Sequence, residues 1–139
     1  MENDFDKKKR DRKNVREKMK SLNLFDSFRH AFDGIGSAFQ AERNMKIHVA
    51  TSLLVLVCGL WLKLSVTEWL ICIAWIASVI SAELINTAIE AVVDMTVQEY
   101  NAYAKIAKDV AAGAVLVVAI GAAVSGLLIF LPKLLTLVR

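Results

Sequence analysis

From Val110 to Pro132 the chain carries no ionisable side chain. At about 1.5 Å per residue a helix over Val110–Leu131 rises about 33 Å, enough to cross the roughly 30 Å hydrocarbon core of a bilayer. A run this long and this apolar has few other places to go. The rest of the 139-residue chain agrees: 56% of residues are hydrophobic, 22% are charged, mean hydropathy is +0.48, and nine of the 17 Lys and Arg residues crowd between Lys7 and Lys20. Such segregation excludes an ordinary soluble domain and points to an all-α membrane protein with a wet N-terminal arm.

Two further spans are expected, over about residues 47–66 and 67–93. The first is short between His48 and Lys63, where long polar side chains at the ends can snorkel, and the second has Trp69 at one interface. Ahead of them, Phe25, Phe28, Phe32, Ile35 and Phe39 recur at steps of three and four. That spacing predicts an amphipathic surface helix over 24–46, with Gly34 and Gly36 marking a place where it could kink. Residues 1–23 hold too little apolar surface to fold alone and read as a disordered or partly helical basic arm, leaving 24–139 as a single membrane domain.

A charged stretch precedes anything apolar, so no cleaved signal peptide is expected. Cys58 and Cys72 sit inside apolar runs and read as small buried hydrophobes rather than a disulfide. Lys and Arg are concentrated in the arm and surface helix, with Lys105 and Lys108 following the second span. The positive-inside rule therefore predicts a cytoplasmic N-terminus and 94–109 loop and an external C-terminus, in the plasma (inner) membrane.

The second span should be uniformly apolar, yet it holds Glu83, Asn86 and Glu90, with Asp94 just beyond. At about 100° per residue these four fall within an arc of about 80°. A carboxylate in hydrocarbon is costly unless paired, protonated or turned to a wet cavity, so one face bearing two acids and an amide is read as a functional site before it is read as interhelical glue. Glu42 and Arg43 lie just before the first span, and Lys108 and Asp109 just before the third, at a similar depth to Glu90. Tyr100 and Tyr103 offer flat surfaces to a nucleobase, and Ala111–Ala114 open the third span with small side chains. Paired carboxylates with a nearby Lys fit Mg²⁺ and a polyphosphate. The glycines of 34–39 lack the Gly-Lys-Ser/Thr ending of a Walker loop, so a nucleotide site here is not a P-loop.

The runs AERNMKIH (41–48), AELINTAIEAVVD (82–94), EY (99–100) and AKDVAAGAVLV (107–117) closely resemble the small prokaryotic diacylglycerol kinases. The resemblance covers about Phe28 to the C-terminus. ERNMKIH and FLPK (130–133) are similar to the Gram-positive branch, whose members are taken to prefer undecaprenol. It implies a homotrimer of three-span subunits with sites between neighbours, ATP as co-substrate, a lipid alcohol as acceptor and Mg²⁺ as divalent metal. No nucleic-acid partner is expected. Carried residue by residue, Glu83 is the proton acceptor and Glu42 and Glu90 hold the metal. Glu99, Tyr100, Asn101, Lys108 and Asp109 line the nucleotide site, while Glu83 and Asn86 meet the lipid head. His30, His48 and Asn101 depart from the Gram-negative pattern. Diacylglycerol is the alternative acceptor. Outside this class, the stripe could serve as a proton relay, but residues 69–81 offer no charged side chain to continue one; a membrane anchor with a recruiting basic arm leaves the stripe unexplained.

Overall fold

The computed structural model describes residues 7, 8, 10, 12, 23–97 and 99–137; most of the basic arm lies outside them. Residues 23–97 and 99–137 run through four helices: α1 (Leu24–Ala41), α2 (Arg43–Trp61), α3 (Val66–Thr96) and α4 (Ala102–Leu137). The last three are long and apolar enough to cross a membrane. Most of their large hydrophobic side chains face outward, among them Leu53, Leu54, Ile73, Leu116 and Leu128, which suits a lipid solvent.

The chain divides into two units, residues 1–37 and 38–139. In the first, α1 runs without interruption through Gly34 and Gly36, and Phe25, Phe28 and Phe32 are exposed. Helix α1 ends at Ala41, earlier than the expected residue 46, because Glu42 takes an extended conformation (φ −99°, ψ 126°). Lys46 Nζ then donates to the Gln40 carbonyl at 2.9 Å, satisfying one acceptor that the break exposes.

In the second unit α3 is the central element, packing against α4 and α2, whereas α2 and α4 do not approach each other as closely among the described residues. Close approach is set by two glycines. A Cβ at Gly59 of α2 would stand 2.8 Å from the Trp69 ring, and one at Gly121 of α4 would collide with the Trp75 ring, so each indole lies directly on a neighbouring backbone.

The α2–α3 turn is tightly specified. Leu64 N–H donates to the Gly59 carbonyl at 3.0 Å and Lys63 N–H to that of Leu60 at 3.3 Å, a Schellman closure with Lys63 in the left-handed region at φ 51°. Ser65 then caps α3. Its hydroxyl accepts from Glu68 N–H at 3.4 Å, and its own N–H donates to Glu68 Oε2 at 2.7 Å. Lys133 reaches the same carboxylate oxygen from α4 at 3.1 Å. The polar groups of this hairpin end are thus drawn into one closed arrangement.

Candidate active site

One face of α3 changes character along its length. Cys72 and Val79 are buried apolar residues, and Glu83 and Asn86 continue the same face as buried polar ones, 1% and 4% exposed. Asn86 Nδ2 donates to Glu90 Oε1 at 3.1 Å. Neither carboxylate oxygen of Glu83 has a hydrogen-bond partner among the described residues, nor does Asn86 Oδ1. Nearby hydroxyls give no help. Thr87 and Ser52 donate to the carbonyls of Glu83 and His48, one turn back on their own helices, at 2.9 and 2.7 Å. Native proteins rarely leave three buried oxygens unmatched, because each costs roughly 1–3 kcal/mol. Among the described residues, Glu83 is not acting as interhelical glue. His48, Glu42 and Glu90 are the charged or titratable groups that act on Glu83 electrostatically.

Past Glu90 the face opens into a polar cleft of about 460 Å³ between the end of α3, the connecting segment and the start of α4. Glu90 and Asp94 form its α3 wall, Glu99, Tyr100 and Asn101 its rim, and Lys105, Lys108 and Asp109 its α4 wall. Lys108 Nζ donates to both carboxylate oxygens of Asp94, at 2.8 and 3.0 Å, and so bridges the mouth. Lys105 and Asp109 pair one turn apart on α4. Ala112 completes the floor, and its small side chain keeps the cleft open beside the α4 backbone.

Six of the residues singled out in the sequence therefore share one cleft: Glu90, Glu99, Tyr100, Asn101, Lys108 and Asp109. Glu83 and Asn86 lie on the same helix face, buried rather than in the cleft. Glu42 stands at the N-cap of α2 with no side-chain cap bond and does not line the cleft, yet it acts electrostatically on both Glu83 and Lys108. Tyr103 is exposed and outside the cleft. Asn101 has a local task as well, since its Oδ1 accepts from Tyr103 N–H at 2.9 Å and Ala104 N–H at 3.3 Å and so caps α4.

The sequence reading left two groups out of the site. Asp94 was visible as the last member of the stripe, but its hold on Lys108, 14 residues away, becomes apparent only when α3 and α4 come together. The pairing of Lys105 with Asp109 was legible in principle as an i, i+4 pair.

Comparison with known proteins gives the family. The sequence model described as prokaryotic diacylglycerol kinase matches residues 29–130, which include the whole stripe and cleft. The chain belongs to the prokaryotic diacylglycerol kinase family. Among its relatives, the undecaprenol kinase of Bacillus subtilis is 48% identical over 111 residues, covering 80% of this chain and 90% of the relative. The diacylglycerol kinase of Synechocystis is 45% identical over 116 residues, 83% of this chain and 66% of the relative. That of Escherichia coli K12 is 30% identical over 96 residues, 69% and 79% of the two. A multi-pass membrane protein of this family, with three spans and a polar cleft at one end, agrees with what the residues build.

Proposed function

We propose that this family member is an ATP-dependent lipid kinase that transfers the γ-phosphate of ATP to the hydroxyl of undecaprenol. The observation that carries the reading is Glu83: a buried carboxylate with both oxygens unpartnered, on the helix face that leads to a cleft holding a lysine. The similarity to the Bacillus subtilis undecaprenol kinase over most of both chains favours the polyprenol. Diacylglycerol is the second reading, supported by the names of the Synechocystis and Escherichia coli relatives.

The chemistry follows from placement. Phosphoryl transfer needs positioning and charge neutralisation more than covalent help from the protein. Lys108 and Asp109 of the α4 wall and the rim residues Glu99, Tyr100 and Asn101 hold the nucleotide, with Lys108 meeting phosphate oxygens as a mobile point charge. The lipid hydroxyl arrives from the bilayer beside Glu83 and Asn86. Its oxygen forms a bond to the γ-phosphorus as the bond from that phosphorus to the bridging oxygen breaks. The hydroxyl proton passes to Glu83, and ADP leaves.

The residues also fit Mg²⁺. No group of three or more His, Cys, Asp or Glu side chains suited to a metal exists among the described residues, and Mg²⁺ asks for no such cage. It takes one or two carboxylates plus phosphate oxygens and water. Glu90, on the cleft wall, and Glu42, at the N-cap of α2, would supply that pair. Bound there, the ion would neutralise charge on the transferring phosphate.

The unpartnered oxygens of Glu83 and Asn86 also favour a homotrimer in which a neighbouring subunit completes each site. Charge placement favours a cytoplasmic cleft, with α1 lying on the membrane surface through its Phe residues and the C-terminus outside. The decisive experiment uses the purified full chain with radiolabelled ATP and Mg²⁺, offering undecaprenol and dioleoylglycerol in parallel. Preferential labelling of undecaprenol is expected. Labelling of dioleoylglycerol alone would transfer the assignment to the second reading, and labelling of neither would overturn both.

A further inference from the structure

The polar cleft is lined by two lysines, and both are paired with carboxylates, but in different ways. Lys105 meets Asp109 one turn along its own helix, and the two side chains are 61% and 62% exposed. Lys108 instead reaches across the cleft mouth from α4 to α3, where its Nζ donates to both carboxylate oxygens of Asp94, at 2.8 and 3.0 Å. With side chains 36% and 66% exposed, this second pair is too wet to contribute much to stability. Its consequence lies in what it does to the ammonium group.

An ammonium carries three N–H donors, and Asp94 takes two of them. The third remains for a ligand. A lysine side chain otherwise samples many rotamers, and fixing it on a phosphate would cost that freedom at the moment of binding. Held beforehand by a carboxylate of the facing helix, the charge is in place when the nucleotide arrives. Its location suits the chemistry as well. Asp94 follows Glu90 by one turn on the same face of α3, both line the cleft, and Glu90 acts electrostatically on Lys108. The ammonium is therefore anchored one helical turn from the cleft-wall carboxylate proposed for Mg²⁺.

We propose that Asp94 is a positioning residue for Lys108, confining the ammonium to the cleft mouth with one donor free so that the phosphates of ATP meet a charge already set in place. The inference rests on the lipid-kinase reading and goes beyond it by giving the last member of the α3 stripe a task that requires no contact with substrate.

The full-length Asp94→Ala, Asp94→Glu, Lys108→Ala and doubly substituted Asp94→Ala/Lys108→Ala variants are compared with the parent for ATP-dependent labelling of undecaprenol and dioleoylglycerol. Asp94→Ala should lower kcat/KM for ATP by about tenfold, chiefly through KM, with KM for the lipid at the parent value. Asp94→Glu keeps a carboxylate and should recover most of that loss. In the Lys108→Ala background, removing Asp94 should change kcat/KM for ATP by less than about twofold, because a residue that acts through Lys108 then has nothing left to position. Losses that multiply in the double variant would show that Asp94 acts by some other route and would overturn the proposal. So would Asp94→Ala with ATP affinity unchanged or raised, which would make Asp94 idle or a competitor for Lys108. A parent chain that labels neither lipid would instead refute the kinase reading, and the positioning role with it.

Discussion

Helix α3 carries a glutamate near each end of its apolar stretch, and the two are treated in opposite ways. Glu68, at the hairpin end, has its Oε2 engaged by Ser65 N–H, the Ser65 hydroxyl and Lys133. Glu83, four turns on, is almost completely buried and has no hydrogen-bond partner for either oxygen. The same side chain therefore closes the fold at one end and is left chemically available at the other. Local satisfaction marks a structural carboxylate, and its absence under burial marks a carboxylate kept for something the isolated chain does not contain.

The contrast can be broken most directly at Glu83. Glu83→Gln keeps the shape and removes the proposed proton acceptor. Turnover should fall by about 10³-fold, a barrier increase of about 4 kcal/mol, while ATP binding by equilibrium dialysis is retained. Phosphorylation at the parent rate would remove the distinction between the two glutamates. Lys108→Ala comes next, with kcat/KM for ATP falling by about 10²-fold as the phosphates lose their point charge. A fall confined to the lipid KM would contradict the proposed nucleotide role of the cleft. Glu90→Gln should then weaken Mg·ATP binding by about tenfold, relieved in part by raised Mg²⁺ in a titration series; an affinity independent of Mg²⁺ would exclude it as a ligand.

Changes at the hairpin end should act on stability alone. Ser65→Ala removes the capping hydroxyl and is expected to destabilise by about 1 kcal/mol in thermal unfolding, with turnover per folded molecule maintained. Lost turnover without lost stability would mean that the two ends are coupled. The smallest effect belongs to Lys63→Gly, which relieves a left-handed backbone and should stabilise by at most about 1 kcal/mol. A lowered melting temperature would show that the Lys63 side chain contributes more than its backbone strain removes.

Much of this was legible in the chain because helical periodicity is a local property. The three spans and the Glu83, Asn86, Glu90, Asp94 stripe follow from apolar runs and a turn of about 100° per residue. The cleft residues were legible because acids, a lysine and tyrosines cluster between two spans. Contacts between helices were not. Nothing in the spacing of Gly59 and Trp69, or of Trp75 and Gly121, announces that an indole rests on a glycine backbone. The break at Glu42 was hidden for another reason. Residues 40–43 contain neither Gly nor Pro, so no residue type there signals the end of a helix, and the expectation ran on to residue 46.

The α2–α3 turn has a consequence for how the protein is made. Only residues 62–65 separate the two helices, and their backbone is fixed by the Schellman closure and the Ser65 cap. A connection that short leaves no slack for one helix to reach the bilayer while the other waits outside. The pair is expected to enter as one hairpin, with Lys63 and Glu68 kept on the same side of the bilayer. Orientation is then a single decision for two spans, and a reporter inserted in this turn would read the sidedness of both at once.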